Sequence, residues 1–160
     1  MIEFLQSASL LTAMLTSGLL AGLFYAYSIS VMPGLGRADD TSFIVSFQGI
    51  NEAIINGWFM ASFIGGPLLT IVAIGSHIPG EHRDLLPWLV AAAAAHVSTF
   101  VITGRVNVPL NNALAAAGED STPHSQARER FETRWNRWNN VRTLTSLAAF
   151  FCLAVALFVR

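Results

Sequence analysis

Polar and apolar residues along this chain are sorted into long blocks. Residues 4–36, 53–80, 85–104 and 143–159 contain no Asp, Glu, Lys or Arg. Each block approaches or exceeds the roughly 20 residues with which a helix crosses a bilayer core. In hydrocarbon every backbone polar group must be paired, so a spanning segment is a helix or a strand of a closed barrel. Barrel strands alternate in polarity over about ten residues, and these blocks are longer and lack a period of two. The pattern predicts an all-α integral membrane four-helix bundle, one domain over residues 1–160, with spans at about 8–32, 57–77, 85–105 and 138–159. The last helix is expected to begin near 127 and to project beyond the membrane as an extended segment.

The first block differs from a signal peptide. Met1 to Gln6 carry no positive side chain, the apolar stretch is longer than an h-region, and no cleavage site follows. Pro33-Gly34-Leu35-Gly36 is expected to stop the first helix. Thr41 or Ser42 then caps a short amphipathic helix over Phe43 to Ile55, lying at the interface before span two. In the polar connection from Gly118 to Gln126, Thr122 and Pro123 read as cap and first turn of the last helix. Gly18 and Gly22, and the run Ala91 to Ala95, allow close helix approach within the bundle or between copies in an oligomer. Gly65-Gly66-Pro67 predicts a kink in span two.

Charge adds an orientation. The chain has nine Lys plus Arg, all of them Arg, ten acids and a net charge of −1. That balance and the lone Cys152 exclude a nucleic-acid partner and a disulfide framework. With four spans, Arg37, Arg105, Arg128, Arg130, Arg134, Arg137 and Arg142 share one side, against Arg83 and Arg160 on the other. The positive-inside rule places the first group in the cytoplasm and both termini outside, as in a bacterial inner (plasma) membrane.

Polar groups at membrane depth are costly, so their positions carry the functional signal. At 100° per residue, Trp135, Trp138, Asn139, Arg142 and Ser146 share one face of the last helix. A Trp belt and a snorkelling Arg explain them without a site; a site explains why an amide and a guanidinium share the stripe with both indoles. On span three, His96, Thr99, Thr103 and Asn107 line one face. Val108-Pro109 then predicts broken backbone from Asn107 to Asn112, with Asn111 among its amides. Such backbone is tolerated when buried or lining a wet cavity. Gln48, Glu52, Asn56, Phe59 and Phe63 form a stripe leading into span two, where Glu52 is either the partner of Arg105 or Arg142, or a base. Tyr25 and Tyr27 finish span one. These groups gather in one third of their helices, which predicts a cavity open to that leaflet and suited to a flat, membrane-soluble ligand.

Other chemistries are excluded by count. A bis-His haem needs two facing His at one depth, and only His96 lies inside a span, His77 and His82 bracketing the outer loop. A dinuclear carboxylate site needs several inward acids with His. No glycine-rich phosphate loop, Ser-His-Asp set or dinucleotide fingerprint occurs. Cys152 reads as a small core residue.

The same residues carry a resemblance. Gly22-Leu-Phe-Tyr-Ala-Tyr-Ser-Ile-Ser-Val-Met-Pro-Gly-Leu35, Ile50-Asn-Glu-Ala-Ile-Ile-Asn-Gly-Trp-Phe59, Asn107-Val-Pro-Leu-Asn-Asn-Ala-Leu114 and Trp135-Asn-Arg-Trp-Asn-Asn-Val-Arg-Thr-Leu144 resemble the anthrone oxygenase-like membrane family, also catalogued as a domain of unknown function. The likeness runs through nearly the whole chain in order, with Asn-Val-Pro-Leu-Asn and Trp-Asn-x-x-Arg its most specific motifs. Asn140 stands where relatives often carry His. Fungal members are associated with oxidising polyketide anthrones to anthraquinones. The resemblance therefore implies a membrane-embedded oxygenase acting on an anthrone- or quinol-like aromatic without a bound metal or haem, with molecular oxygen as co-substrate. In that reading Arg142, Asn139, Asn107 and Asn111 hydrogen-bond a developing enolate oxygen. Trp135, Trp138, Phe59 and Tyr25 stack on the rings, Asn56 joins them at the binding surface, and Glu52 or His96 takes the proton. The competing reading is a non-catalytic membrane subunit or binder of a quinone-like or lipid ligand.

Overall fold

The structure, a computed structural model, describes residues 2–78, 82–117 and 123–160. Among them run five helices: α1 (Ile2–Leu35), α2 (Asp40–Ala53), α3 (Gly57–His77), α4 (Arg83–Ala116) and α5 (His124–Phe158). All but α2 are long and apolar enough to cross a membrane, and the molecule is an all-α membrane helical bundle. α1 packs on α3 and α5, α5 on α4, and α4 more lightly on α3. The four long helices thus close a ring.

Helical periodicity explains which faces meet. α1 buries Leu10, Ala13, Ser17, Leu20, Ala21 and Phe24, a stripe at three- and four-residue steps. α5 buries one continuous stripe from Ala127 to Ala156 whose character changes along its length. It is aromatic at Phe131 and Trp135, polar at Asn139, Arg142 and Ser146, and small and apolar from Ala149 onward. The aromatic part joins Met32, Phe43, Phe47 and Leu114 in one apolar cluster, at the end where α2 lies across α4 and α5. The small part joins Leu10, Ala13, Ala73, Leu89 and Ala92 in a second cluster at the end holding both termini. The polar part of α5 sits between the two.

The prolines do not end their helices. Pro lacks an N–H, and its ring clashes with the carbonyl four residues back. In α1 and α4 the strain is absorbed by a widened π turn just before each Pro. Met32 donates to Tyr27 O ahead of Pro33, and Val108 donates to Thr103 O ahead of Pro109. The stop expected at Pro33–Gly36 is found, α1 ending at Leu35 with Gly36 as its cap two residues past the Pro, whereas the broken backbone expected at 107–112 is replaced by continuous helix with one extra residue in a turn. α3 likewise runs unbroken through Pro67.

The helix caps also differ from expectation. Asp39, rather than Thr41 or Ser42, caps α2, its carboxylate accepting from the Ser42 N–H at 3.0 Å and the Ser42 hydroxyl at 2.7 Å. Pro123 stands at the cap position of α5, one residue before the first helical turn; Thr122, expected as the cap, lies outside the described residues. Arg128 ties the α1–α2 connection to α5. It donates to Gly36 O and Ala38 O at 2.8 Å each, pairs with Asp40 and Glu132, and lies over the Phe43 ring.

Candidate functional site

Between the two apolar clusters, where the polar part of α5 faces α1 and the π turn of α4, lies a cavity of about 130 Å³, open on one side. A 150 Å³ cavity is of the size that holds one benzene ring. Its wall is mostly apolar, with Leu23, Phe24, Phe47, Ile54, Phe59 and Val108 interrupted by Tyr27, Asn51, Thr103, Asn111, Trp135 and Arg142. A concave apolar site with a few polar groups is the usual form of a small-molecule pocket.

Arg142 dominates its electrostatics. The residue is only 6% exposed. Its guanidinium lies 4.3 Å from the Phe24 ring centroid and 5.3 Å from that of Trp135, and Nη2 donates to Asn139 Oδ1 at 2.9 Å. Nε has no partner. Among the described residues no carboxylate pairs with it; the ion pairs found belong to Arg128. A desolvated cation without a counter-ion is costly at membrane depth, so this one is held by aromatic faces and an amide while keeping donors free.

Asn139 is the bracket that holds it. Its Nδ2 donates to Phe24 O and Ser28 Oγ, both at 2.9 Å, which ties α5 to the π turn of α1. All of its amide capacity faces protein, so Asn139 positions Arg142 and does not line the cavity. A second chain of bonds crosses three helices. Trp135 Nε1 donates to Asn111 Oδ1 at 2.8 Å, and Asn111 Nδ2 donates to Asn51 Oδ1 at 2.7 Å.

Several other sequence-predicted residues lie elsewhere. Glu52 is exposed and does not line the cavity. His96 sits deeper, its Nε2 3.3 Å from Ser17 Oγ, facing the α1–α3 contact at Gly66. Asn56 caps α3, accepting from the N–H groups of Trp58 and Phe59, and its Nδ2 donates to Ala53 O. Tyr25 points outward, 51% exposed. Trp138 is half-buried and off the cavity wall. Asn107, in the π turn, is 1% exposed with neither amide atom partnered. Phe59, Asn111, Trp135 and Arg142 are the predicted residues that the fold brings together on the wall.

Tyr27, expected with Tyr25 among the groups that gather at this level, lines the wall, and so does Asn51, which the sequence does not single out. Tyr27 packs against Trp135 at 5.7 Å. Tyr27 is the next step of the buried α1 stripe after Phe24, and Asn51 is the immediate neighbour of the more conspicuous Glu52. Their signal was the polar density of both segments. Among the described residues no three His, Cys, Asp or Glu side chains gather into a metal-ligand set.

A family model described as anthrone oxygenase matches residues 58–152, more than half of the chain. The matched stretch holds Phe59, Thr103, Asn111, Trp135 and Arg142 of the wall. No curated protein and no solved structure matches the chain.

Proposed function

The chain belongs to the anthrone oxygenase family, and from that premise we propose that the cavity binds a flat aromatic ketone of the anthrone type and promotes its oxidation by O2. The observation that carries this reading is Arg142, a buried cation with free donors on the wall of an aromatic cavity. An anthrone CH2 is acidic because losing its proton yields an aromatic enolate. Donors already oriented toward the enolate oxygen stabilise that charge without reorganising, usually the largest single contribution in such sites. The proton leaves to solvent. The enolate carbon reduces O2 and bonds to it, giving after protonation a hydroperoxide; loss of the second CH proton then breaks the O–O bond, completes the second carbonyl and expels hydroxide, which that proton turns into water. Anthrone plus O2 becomes anthraquinone plus water.

The chain's own residues supply binding and electrostatics. Arg142, held by Asn139, takes the oxygen; Phe59, Trp135, Tyr27 and Phe47 hold the ring; the rest of a tricyclic ligand extends through the open side toward lipid. No cofactor beyond O2 is needed for this balance. The Arg-rich end faces the cytoplasm in this reading, with both termini outside. A non-catalytic binder of a quinone-like ligand would use the same wall, and the lack of a carboxylate or imidazole among its lining residues favours that second reading. Aerobic incubation of the purified protein with emodin anthrone, following quinone absorbance, separates the two. Protein-dependent quinone formation supports the oxygenase; saturable binding with no rate above the uncatalysed background supports the binder.

A further inference from the structure

The bond chain Trp135–Asn111–Asn51 has a direction that chemistry imposes. An indole N–H can only donate, so the Asn111 oxygen must face Trp135. That turns the Asn111 NH2 toward Asn51, which must receive it on its own oxygen. The Asn51 NH2 is then left over, and among the described residues it donates to no protein atom. Orientations that are ordinarily ambiguous for amides are here fixed by one ring nitrogen. Asn51 is on the cavity wall.

The remaining polar groups on the wall agree. Arg142 is donor-only. Thr103 gives its hydroxyl hydrogen to Thr99 O at 2.8 Å, and Tyr27 has a rotatable hydroxyl. The wall holds no carboxylate and no imidazole. The Thr103 oxygen is left as an acceptor, and the fixed N–H donors facing the ligand come from two different helices, a guanidinium on α5 and an amide on α2.

We propose that this relay makes the cavity selective for flat ligands whose oxygens accept, namely ketones, quinones and their conjugate oxyanions, over ligands whose oxygens donate, such as hydroquinones. The inference rests on the cavity being the flat-ligand site and narrows that site to the carbonyl side of the redox couple. A hydroquinone oxygen can still accept from these N–H groups, but each of its O–H hydrogens then needs an acceptor on a wall that offers only the Thr103 and Tyr27 oxygens, and a hydrogen left unpaired is a loss worth about tenfold or more in affinity.

The test compares dimethylnaphthoquinone, whose blocked ring carbons resist thiol addition, with its hydroquinone under argon. Binding to the full chain in detergent is measured by equilibrium dialysis. The native chain is expected to bind the quinone at least about tenfold more tightly. Asn51→Asp replaces the free N–H with an acceptor oxygen and is expected to erase or reverse that ratio. Trp135→Phe keeps the aromatic packing but frees Asn111 to flip, and is expected to narrow the ratio while the quinone still binds. Because ratios are compared between chains, unequal partition of the two compounds into micelles cancels. Equal affinities in the native chain once partition into protein-free micelles is subtracted, or an unchanged ratio in both variants, overturn the relay and leave the flat-ligand site standing. Failure of either compound to bind overturns the site reading and the inference with it.

Discussion

The Arg142 guanidinium is bonded to the Asn139 side chain three residues earlier on the same helix, at 2.9 Å, and that same amide reaches across to Phe24 O and Ser28 Oγ on α1. The cation is therefore positioned by helix–helix packing and not by a counter-ion. A carboxylate would neutralise the charge that an enolate oxygen needs to meet, whereas an amide orients it and leaves it intact. Function and stability then separate at these two residues.

At Arg142 the expected effect falls on function. Arg142→Met keeps much of the side-chain volume and removes a buried, unpaired charge, a change that is often neutral or stabilising. Removing one oxyanion donor typically costs about 10²–10³-fold in turnover. The variant should therefore unfold in detergent at a temperature equal to or above that of the native chain while losing anthrone oxidation by about that factor. Retained turnover would remove Arg142 from the mechanism.

At Asn139 the expected effect falls on the fold. Asn139→Ala deletes two buried donations to α1 and the acceptor of Arg142, and strands the guanidinium, while Phe24 O keeps its bond from the Ser28 hydroxyl. With buried hydrogen bonds worth about 0.5–1.5 kcal/mol each and stranded groups costing more, the loss is about 2–4 kcal/mol. A denaturant or thermal midpoint in micelles reads it directly. A midpoint matching the native chain would show that α1 and α5 do not rely on this bracket.

Two glycines of α3 should respond in opposite ways. A methyl group on Gly66 would lie 3.3 Å from both His96 Cε1 and Ser17 Oγ, whereas one on Gly75 meets nothing within 4 Å. Gly66→Ala forces α1, α3 and α4 apart where they cross and should cost about 1–3 kcal/mol. Gly75→Ala should leave the unfolding midpoint unchanged or raise it. Equal effects would mean that the close approach at Gly66 is not a constraint on the bundle.

How much of this was legible in the sequence depends on the length over which each signal repeats. The spans are written in long charge-free blocks, and the buried stripe of α5 keeps a helical step from Ala127 to Ala156, so the architecture and the side holding Trp135, Asn139 and Arg142 follow from periodicity. Signals one residue wide did not survive. The π turns at Tyr27–Val31 and Thr103–Asn107 each insert a residue that a constant 100° step cannot foresee, but Tyr27 precedes the first insertion and meets the cavity, where Tyr25 does not, as the next helical step after buried Phe24. Asn56 looked like a binding amide because its role is local: it satisfies free N–H groups at the start of α3 and a carbonyl at the end of α2. Asn51, hidden beside Glu52, became visible only through its partner on α4.

The floor of the cavity has a pH-dependent anchor. Phe47 and Asn51 come from α2, whose cap Asp39 has its carboxyl held below the usual carboxylate range, chiefly by the Ser42 hydroxyl and N–H. A carboxylate with a depressed folded-state pKa contributes stability above its unfolded value, near 3.9, and loses it as pH falls through the lower folded value. Amide exchange in the first turn of α2 should therefore speed up in strong acid more than its intrinsic pH dependence requires. Asp39→Asn preserves the cap acceptor and should abolish that extra acid sensitivity. If both chains loosen alike on acidification, Asp39 is not the anchor.

The cavity wall carries no base to take the substrate proton. Glu52 and His96 are the bases that the sequence offers, yet Glu52 is exposed off the cavity wall and His96 is engaged with Ser17 deeper in the bundle. A general base must come within hydrogen-bond reach of the proton it removes, and a positioned one contributes about 10²–10⁴-fold. If the wall acts by stabilising the enolate and the proton leaves to solvent, Glu52→Gln and His96→Gln should each keep anthrone turnover within about twofold of the native chain, far inside the loss expected for a base. The rate should then rise with pH as the substrate's own CH2 ionises, without the plateau that titration of a protein base imposes. Arg142→Lys retains a charge but loses the planar fork that bridges Asn139 and the ligand, and should lower the rate across the whole profile without changing its shape. A large loss in Glu52→Gln or His96→Gln, with quinone binding intact, would instead assign the proton to that residue and require the helix carrying it to move toward the cavity during turnover.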